Sequence, residues 1–123
     1  MQSNFTLWTG RIISGLVVLF LIGGSLFGII KAAELAPEFA HTGYPMSLQI
    51  KIPIVCILCA IIYAIPQTAV LGAILLAAYL GGATATHVRI GEPFFFPILV
   101  AVLAWLGLFL RDERLRELVP WRK

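Results

Sequence analysis

Nineteen consecutive residues, Ile12 to Ile30, carry no charge, and Arg11 and Lys31 bracket them. As a helix this stretch is about 28 Å long, close to the ~30 Å hydrocarbon thickness of a bilayer. Ala32 and Ala33 are small residues of the kind that follow a signal peptide. Signal-peptide apolar cores run only about 7–15 residues, however, so the run reads as a transmembrane span.

Three more apolar runs follow. Ile50 to Ile65 carries Lys51, whose long stem can snorkel to the interface, and Pro53, placed where a missing N–H costs little. Pro66 stops it. Thr68 opens the third run, which continues to His87, so spans two and three form a tight antiparallel hairpin. The fourth run is Phe94 to Leu110. With 60% hydrophobic and 12% charged residues the chain lies far from a soluble domain, where about a quarter of residues are charged. The expectation is one all-α domain over residues 1–123, a polytopic membrane four-helix bundle with spans near 12–30, 50–65, 68–87 and 94–110. Lys31 to Gln49 is too polar to span and predicts a short interfacial helix between spans one and two, ended by Gly43. It serves as a connector in the headgroups or as a lid over the bundle mouth.

An even number of spans puts both termini on one side. With the termini inside, the inner segments hold Arg11, Arg111, Arg114, Arg116, Arg122 and Lys123, against Lys31, Lys51 and Arg89 outside. The positive-inside rule therefore predicts cytoplasmic termini. The net charge of +3 is topological in this pattern and does not indicate nucleic-acid binding. The tail from Arg111 reads as an amphipathic turn or two on the anionic leaflet, anchored by Trp121.

Close packing of membrane helices favours small residues four apart. Ala73, Ala77, Gly81 and Ala85 form one such stripe, Ala78, Gly82 and Thr86 another, and Gly24, Gly28 and Ala32 a third. They predict a close approach of spans one and three.

Charged residues are absent from the interiors of the first, second and fourth runs. A proton-coupled exporter needs an acid deep in its first helix, which offers only Ser14, Ser25 and glycines, so that class is excluded. Cys56-x-x-Cys59 lies at mid-helix among isoleucines, without the second cysteine pair that membrane disulfide-forming enzymes use for electron relay. The two read as small apolar fillers. Neither a metal-ligand cluster, a phosphate-binding glycine loop nor a catalytic nucleophile motif is recognisable. Polar residues collect instead beyond the third span. Thr84, His87, Arg89 and Glu92 are the candidate ligand-binding set, with His87 and Arg89 meeting a quinone carbonyl or another head group. Alternatively His87 and Arg89 cap the helix and meet lipid phosphate, with Glu92 as Arg89's partner.

Several stretches together resemble the DoxX-like family of small bacterial membrane proteins. They are Gly10-Arg11-Ile12, Gly43-Tyr44-Pro45, Ile65-Pro66-Gln67-Thr68, Leu71-Gly72-Ala73-Ile74-Leu75, Tyr79 through Arg89, Gly91-Glu92-Pro93, Trp105-Leu106-Gly107-Leu108 and Leu110-Arg111-Asp112. The resemblance implies a four-helix bundle in the bacterial inner membrane, with relatives linked to quinone-coupled oxidation and to thiol-stress assemblies. It transfers no catalytic residue; His87-x-Arg89 and its Gly81-Gly82 approach are the stretch it singles out. Ser25 stands where relatives often carry an acidic or polar residue. Two functions follow as expectations. One is an accessory or assembly subunit of a membrane complex without its own catalytic centre, docking lipids, another membrane protein or a second copy as a homodimer. The other is a subunit that binds quinone or a similar lipophilic ligand for a redox partner.

Overall fold

The computed structural model describes residues 4–118. Trp121, Arg122 and Lys123, which the sequence assigns to the anchoring tail, lie outside the described residues. The described residues form six α-helices: α1 (Asn4–Ile30), α2 (Ala32–His41), α3 (Leu48–Ala64), α4 (Ala69–Arg89), α5 (Phe95–Arg111) and α6 (Glu113–Leu118). A 3-10 turn, Pro66–Thr68, joins α3 to α4. Two segments, Asn4–Ile30 and Pro66–Arg89, are long and apolar enough to cross a membrane. Helices α3 and α5 are apolar too, with 17 residues each, at the short end of the range a bilayer requires.

Helix α1 begins two turns before the uncharged run does, because Arg11 bounds the apolar stretch without interrupting helical hydrogen bonding. Its guanidinium lies 5.0 Å from the Trp8 ring centroid, one turn earlier on the same helix. Likewise Pro53 is inside α3, whose first residue is Leu48, so its missing N–H falls beyond the first turn. The predicted short helix between the first two runs is α2. Gly43 follows it with φ +82°, a conformation that disfavours any residue with a Cβ. At the end of α4, Gly91 (φ +76°) lets its own N–H reach Val88 O at 3.2 Å and the Glu92 N–H reach His87 O at 2.9 Å, the paired bonds of a Schellman cap.

The four long helices form a ring in which α1 touches α3 and α5, and α4 touches the same two. Helices α1 and α4 are therefore diagonal and their backbones do not approach closely, contrary to the predicted close approach of spans one and three. The small residues expected to bring them together divide accordingly. Ala73 is fully buried, whereas Ala77 is exposed, and a Cβ added at Gly24, Gly28, Gly81 or Gly82 would meet nothing within 4 Å. The reason is helical arithmetic. Four residues overshoot one turn by about 40°, so a strict four-residue stripe winds off the core within three steps. The buried face of α4 steps by four, three and four instead, through Ala69, Ala73, Leu76 and Leu80, with Gly72 beside Ala73.

Close approach does occur, at other glycines. A Cβ on Gly10 would stand 2.7 Å from both Gly107 O and Arg111 N, which brings α1 and α5 together backbone to backbone. Gly107 in turn faces Ser14, and Gly72 lies against the backbone N and Cα of Tyr63, closing the α3–α4 hairpin. Tyr63 is completely buried at this junction. Its hydroxyl donates to Ala104 O on α5 and, with that hydrogen committed, accepts from Ser14 Oγ on α1 at 2.9 Å. One phenol thus joins three helices in a setting where no water competes. Arg111 lies over the Tyr63 ring at 4.9 Å and donates to Tyr63 O at 3.1 Å, occupying one of the carbonyls left free at the end of α3.

Candidate functional site

At the opposite end of the bundle from the α3–α4 hairpin, α2 and the turn after it lean over α3 and α4. A cavity of about 360 Å³ lies beneath, lined by Phe39, Thr42, Tyr44, Ile52, Ala78, Tyr79, Gly82, Ala83, Thr86 and His87. The lining is mostly apolar and aromatic, from Phe39, Ile52, Ala78 and Tyr79. Hydroxyls and an imidazole stand at the rim, the composition of a pocket for a ring-bearing lipophilic molecule.

The rim is ordered by hydrogen bonds among its own residues. Thr86 Oγ1 donates to Gly82 O one turn back at 2.9 Å, so the Tyr44 hydroxyl is the donor in the 2.7 Å Tyr44–Thr86 bond. Arg89 lies over the Tyr44 ring at 5.3 Å and donates to Thr42 O, tying the end of α4 to the turn after α2. Phe39 stacks obliquely on Tyr44 at 6.4 Å and completes the cover.

His87 Nδ1 lies 2.7 Å from Ala83 O. A carbonyl only accepts, so Nδ1 carries the hydrogen and the neutral ring leaves Nε2 as an acceptor. Protonation would turn Nε2 into a donor. A single side chain on the cavity wall therefore offers a lone pair to a hydroxyl or, once charged, a proton to a carbonyl.

Of the four residues singled out in sequence, only His87 lines the cavity. Arg89 braces the cover from outside it. Among the described residues Arg89 forms no ion pair with Glu92; its guanidinium turns to Thr42 and Tyr44 instead, because the left-handed turn at Gly91 carries the chain away. Thr84 bonds Leu80 O at 2.8 Å and follows Leu80 along the core side of α4, about 140° from Tyr79 around the helix. Thr86, Tyr79 and Tyr44 line the cavity as well, outside the set that the sequence singles out. The signal for the first two was present, since Tyr79, Ala83, Thr86 and His87 recur at helical spacing on one face. Tyr44 has no such signal, because only the fold of the turn after α2 brings it over α4.

Tyr79 also borders a second, smaller cavity of about 250 Å³ with Phe20, Leu21, Gly24, Ser25, Pro53 and Cys56. Both cysteines are buried free thiols. Among the described residues no group of three or more His, Cys, Asp or Glu side chains could hold a metal ion.

A family model described as the DoxX-like family matches residues 12–108 of the chain. No curated protein and no solved structure matches it.

Proposed function

The chain belongs to the DoxX-like family, and from that premise we propose that it is a four-span protein of the bacterial inner membrane whose α2-covered cavity binds a lipophilic ligand with a quinone-type ring. The family and the two long apolar helices mark a membrane protein. Four crossings are supported by the ring of four apolar helices, and cytoplasmic termini by the excess of arginine at the hairpin end. A quinone bound there would supply two-electron chemistry for a partner protein. This chain contributes binding and proton handling, and no catalytic centre of its own.

One observation carries the reading: His87, with Nδ1 fixed on Ala83 O, lines a cavity whose walls are mostly apolar and aromatic. In the neutral form Nε2 accepts from a ring hydroxyl; in the charged form it donates to a ring carbonyl. Tyr79 and Ile52 exclude water from the ring, and Arg89 keeps α2 and Tyr44 closed over it. Native mass spectrometry from mild detergent, with added ubiquinone or menaquinone analogues, tests this. His87→Ala should weaken retention about tenfold, the loss of one hydrogen bond worth roughly 1.4 kcal/mol, while leaving the melting temperature unchanged. Retention that is indifferent to His87→Ala would remove the histidine from the reading.

A second reading, an assembly subunit that docks another membrane protein or a second copy, is favoured by a separate observation. Gly24 and Gly81 face open space, so their small-residue surfaces remain available to a partner helix. Gly81→Leu meets nothing inside the chain and should abolish partner capture or self-association without altering stability. If no quinone binds and Gly81→Leu dissociates a complex, assembly is the function.

A further inference from the structure

Two cavities at the hairpin end share Arg11, Pro66 and Arg111 as common walls. The larger, about 480 Å³, is charged and includes Arg114, Asp112 and Glu113. The other, about 440 Å³, follows α1 through Ser14, Gly15, Val18 and Leu19, with Ala64 of α3 on its far side. Arg11, Gly15 and Val18 recur at steps of four and three residues, with Leu19 next to Val18, so one face of α1 carries a cation at its end and then an apolar path of about 12 Å.

The charges in the larger cavity do not cancel. Arg114 and Asp112 satisfy each other, through Nε–Oδ1 and Nη2–Oδ2 bonds of 3.2 Å each. That bond, before the smaller cost of desolvation, keeps the Asp112 carboxyl below its usual range. Among the described residues, neither Arg11 nor Arg111 has a carboxylate partner. Arg11 has only the Trp8 ring. Arg111 spends Nη2 on Tyr63 O, and its Nε is buried with no hydrogen-bond partner. A guanidinium that lines a cavity with no carboxylate partner is costly to desolvate, which points to an anionic oxygen ligand as its natural complement.

We propose that this junction is a specific site for one anionic phospholipid, its phosphate held between Arg11 and Arg111 and one acyl chain lying along Gly15, Val18 and Leu19. Guanidinium forks match phosphate oxygens, and the apolar path that starts between them suits an amphiphile better than a free ion. A zwitterionic head group would bring its cation into a cavity wall where three arginines outnumber two carboxylates, and bind less well. The site rests on the membrane reading above but not on the α2-covered cavity.

The test is native mass spectrometry of the full chain in mild detergent, titrated in parallel with phosphatidylglycerol, phosphatidylcholine and inorganic phosphate. One phosphatidylglycerol should be retained at least tenfold more tightly than phosphatidylcholine. Arg11→Gln, an exposed change that leaves the core untouched, should erase that preference, and Leu19→Trp should weaken both lipids by filling the groove. Arg111→Lys, which keeps the charge but loses the fork, should give an intermediate loss. Equal retention of the two lipids, or a preference that survives Arg11→Gln, overturns the proposal. So does inorganic phosphate that binds and is lost in Arg11→Gln while neither lipid is retained. His87→Ala should leave the lipid in place and Arg11→Gln should leave any quinone adduct in place, so failure at one end is separable from failure at the other.

Discussion

Tyr63 and Tyr44 are built into similar surroundings at opposite ends of the bundle. Each phenol bonds an aliphatic hydroxyl, Ser14 at 2.9 Å and Thr86 at 2.7 Å, and each ring lies under an arginine, Arg111 at 4.9 Å and Arg89 at 5.3 Å. The difference is exposure: Tyr63 is 0% accessible and Tyr44 is 37%. Around Tyr63, glycines bring three helices so close that the hydroxyl reaches two of them. Around Tyr44, a ten-residue helix and a turn leave a cavity. The same three functional groups therefore make a structural joint where solvent is excluded and an adjustable rim where it is not, because an unmade hydrogen bond is costly only in the first case.

The comparison breaks most visibly at Gly72. Gly72→Leu would drive a side chain into the Tyr63 backbone, which cannot withdraw without parting α3 from α4. Overpacking of this kind costs about 1–3 kcal/mol or more, and the variant should lose its cooperative thermal transition in detergent. Gly82→Leu at the cavity end, with open space around it, should melt normally.

Next in size is the pair of phenols. Tyr63→Phe removes one donor and one acceptor from a dry site and leaves Ser14 and Ala104 O facing a hydrocarbon edge, a loss of about 1–3 kcal/mol. Tyr44→Phe should change stability by no more than about 0.5 kcal/mol while loosening the cover and speeding ligand exchange. Equal destabilisation by the two substitutions would show that burial is not what separates them.

The smallest effect concerns α6. Asp112 Oδ1 accepts the Arg114 backbone N–H at 3.0 Å and caps this six-residue helix. The Arg114 side-chain bond holds its folded pKa below the unfolded value of about 3.9. Its contribution is complete above that value and is lost as pH falls through the folded pKa. Hydrogen exchange of α6 should rise at that acid end while α1, α3 and α5 stay protected, and Asp112→Ala should reproduce the loosening at neutral pH.

The four long helices were legible because charged residues and prolines punctuate the chain where apolar runs stop, and α2 because Gly43 follows a polar, amphipathic stretch. Their neighbours in space were not. The glycine patterns at Gly24, Gly28, Gly81 and Gly82 are denser than the single residues Gly10, Gly72 and Gly107, yet only the isolated ones pack within the chain. What selects them is the partner opposite, a Ser14 or a Tyr63 backbone, and that is a tertiary fact. At the cavity the histidine was readable from its position beyond an apolar helix. The three-residue spacing from Thr84 to His87 points to Thr84 in the sequence, but which face α4 turns toward α2 depends on a core that its neighbours define.

The ring of helices also carries a consequence in time. Contacts of α1 with α3 and of α3 with α4 join segments made early and near one another, whereas the Gly10–Gly107 contact joins segments almost a chain length apart. During synthesis the bundle is an open arc until α5 emerges, and the Ser14–Tyr63 pair waits at its unfinished edge for Ala104. Closure is thus the last and most entropically demanding event. A thiol introduced by Ser14→Cys should accept an alkylating reagent in chains arrested before residue 104 and become inaccessible once α5 has docked. Arrested chains protected as fully as the finished protein would mean that the ring does not close in that order.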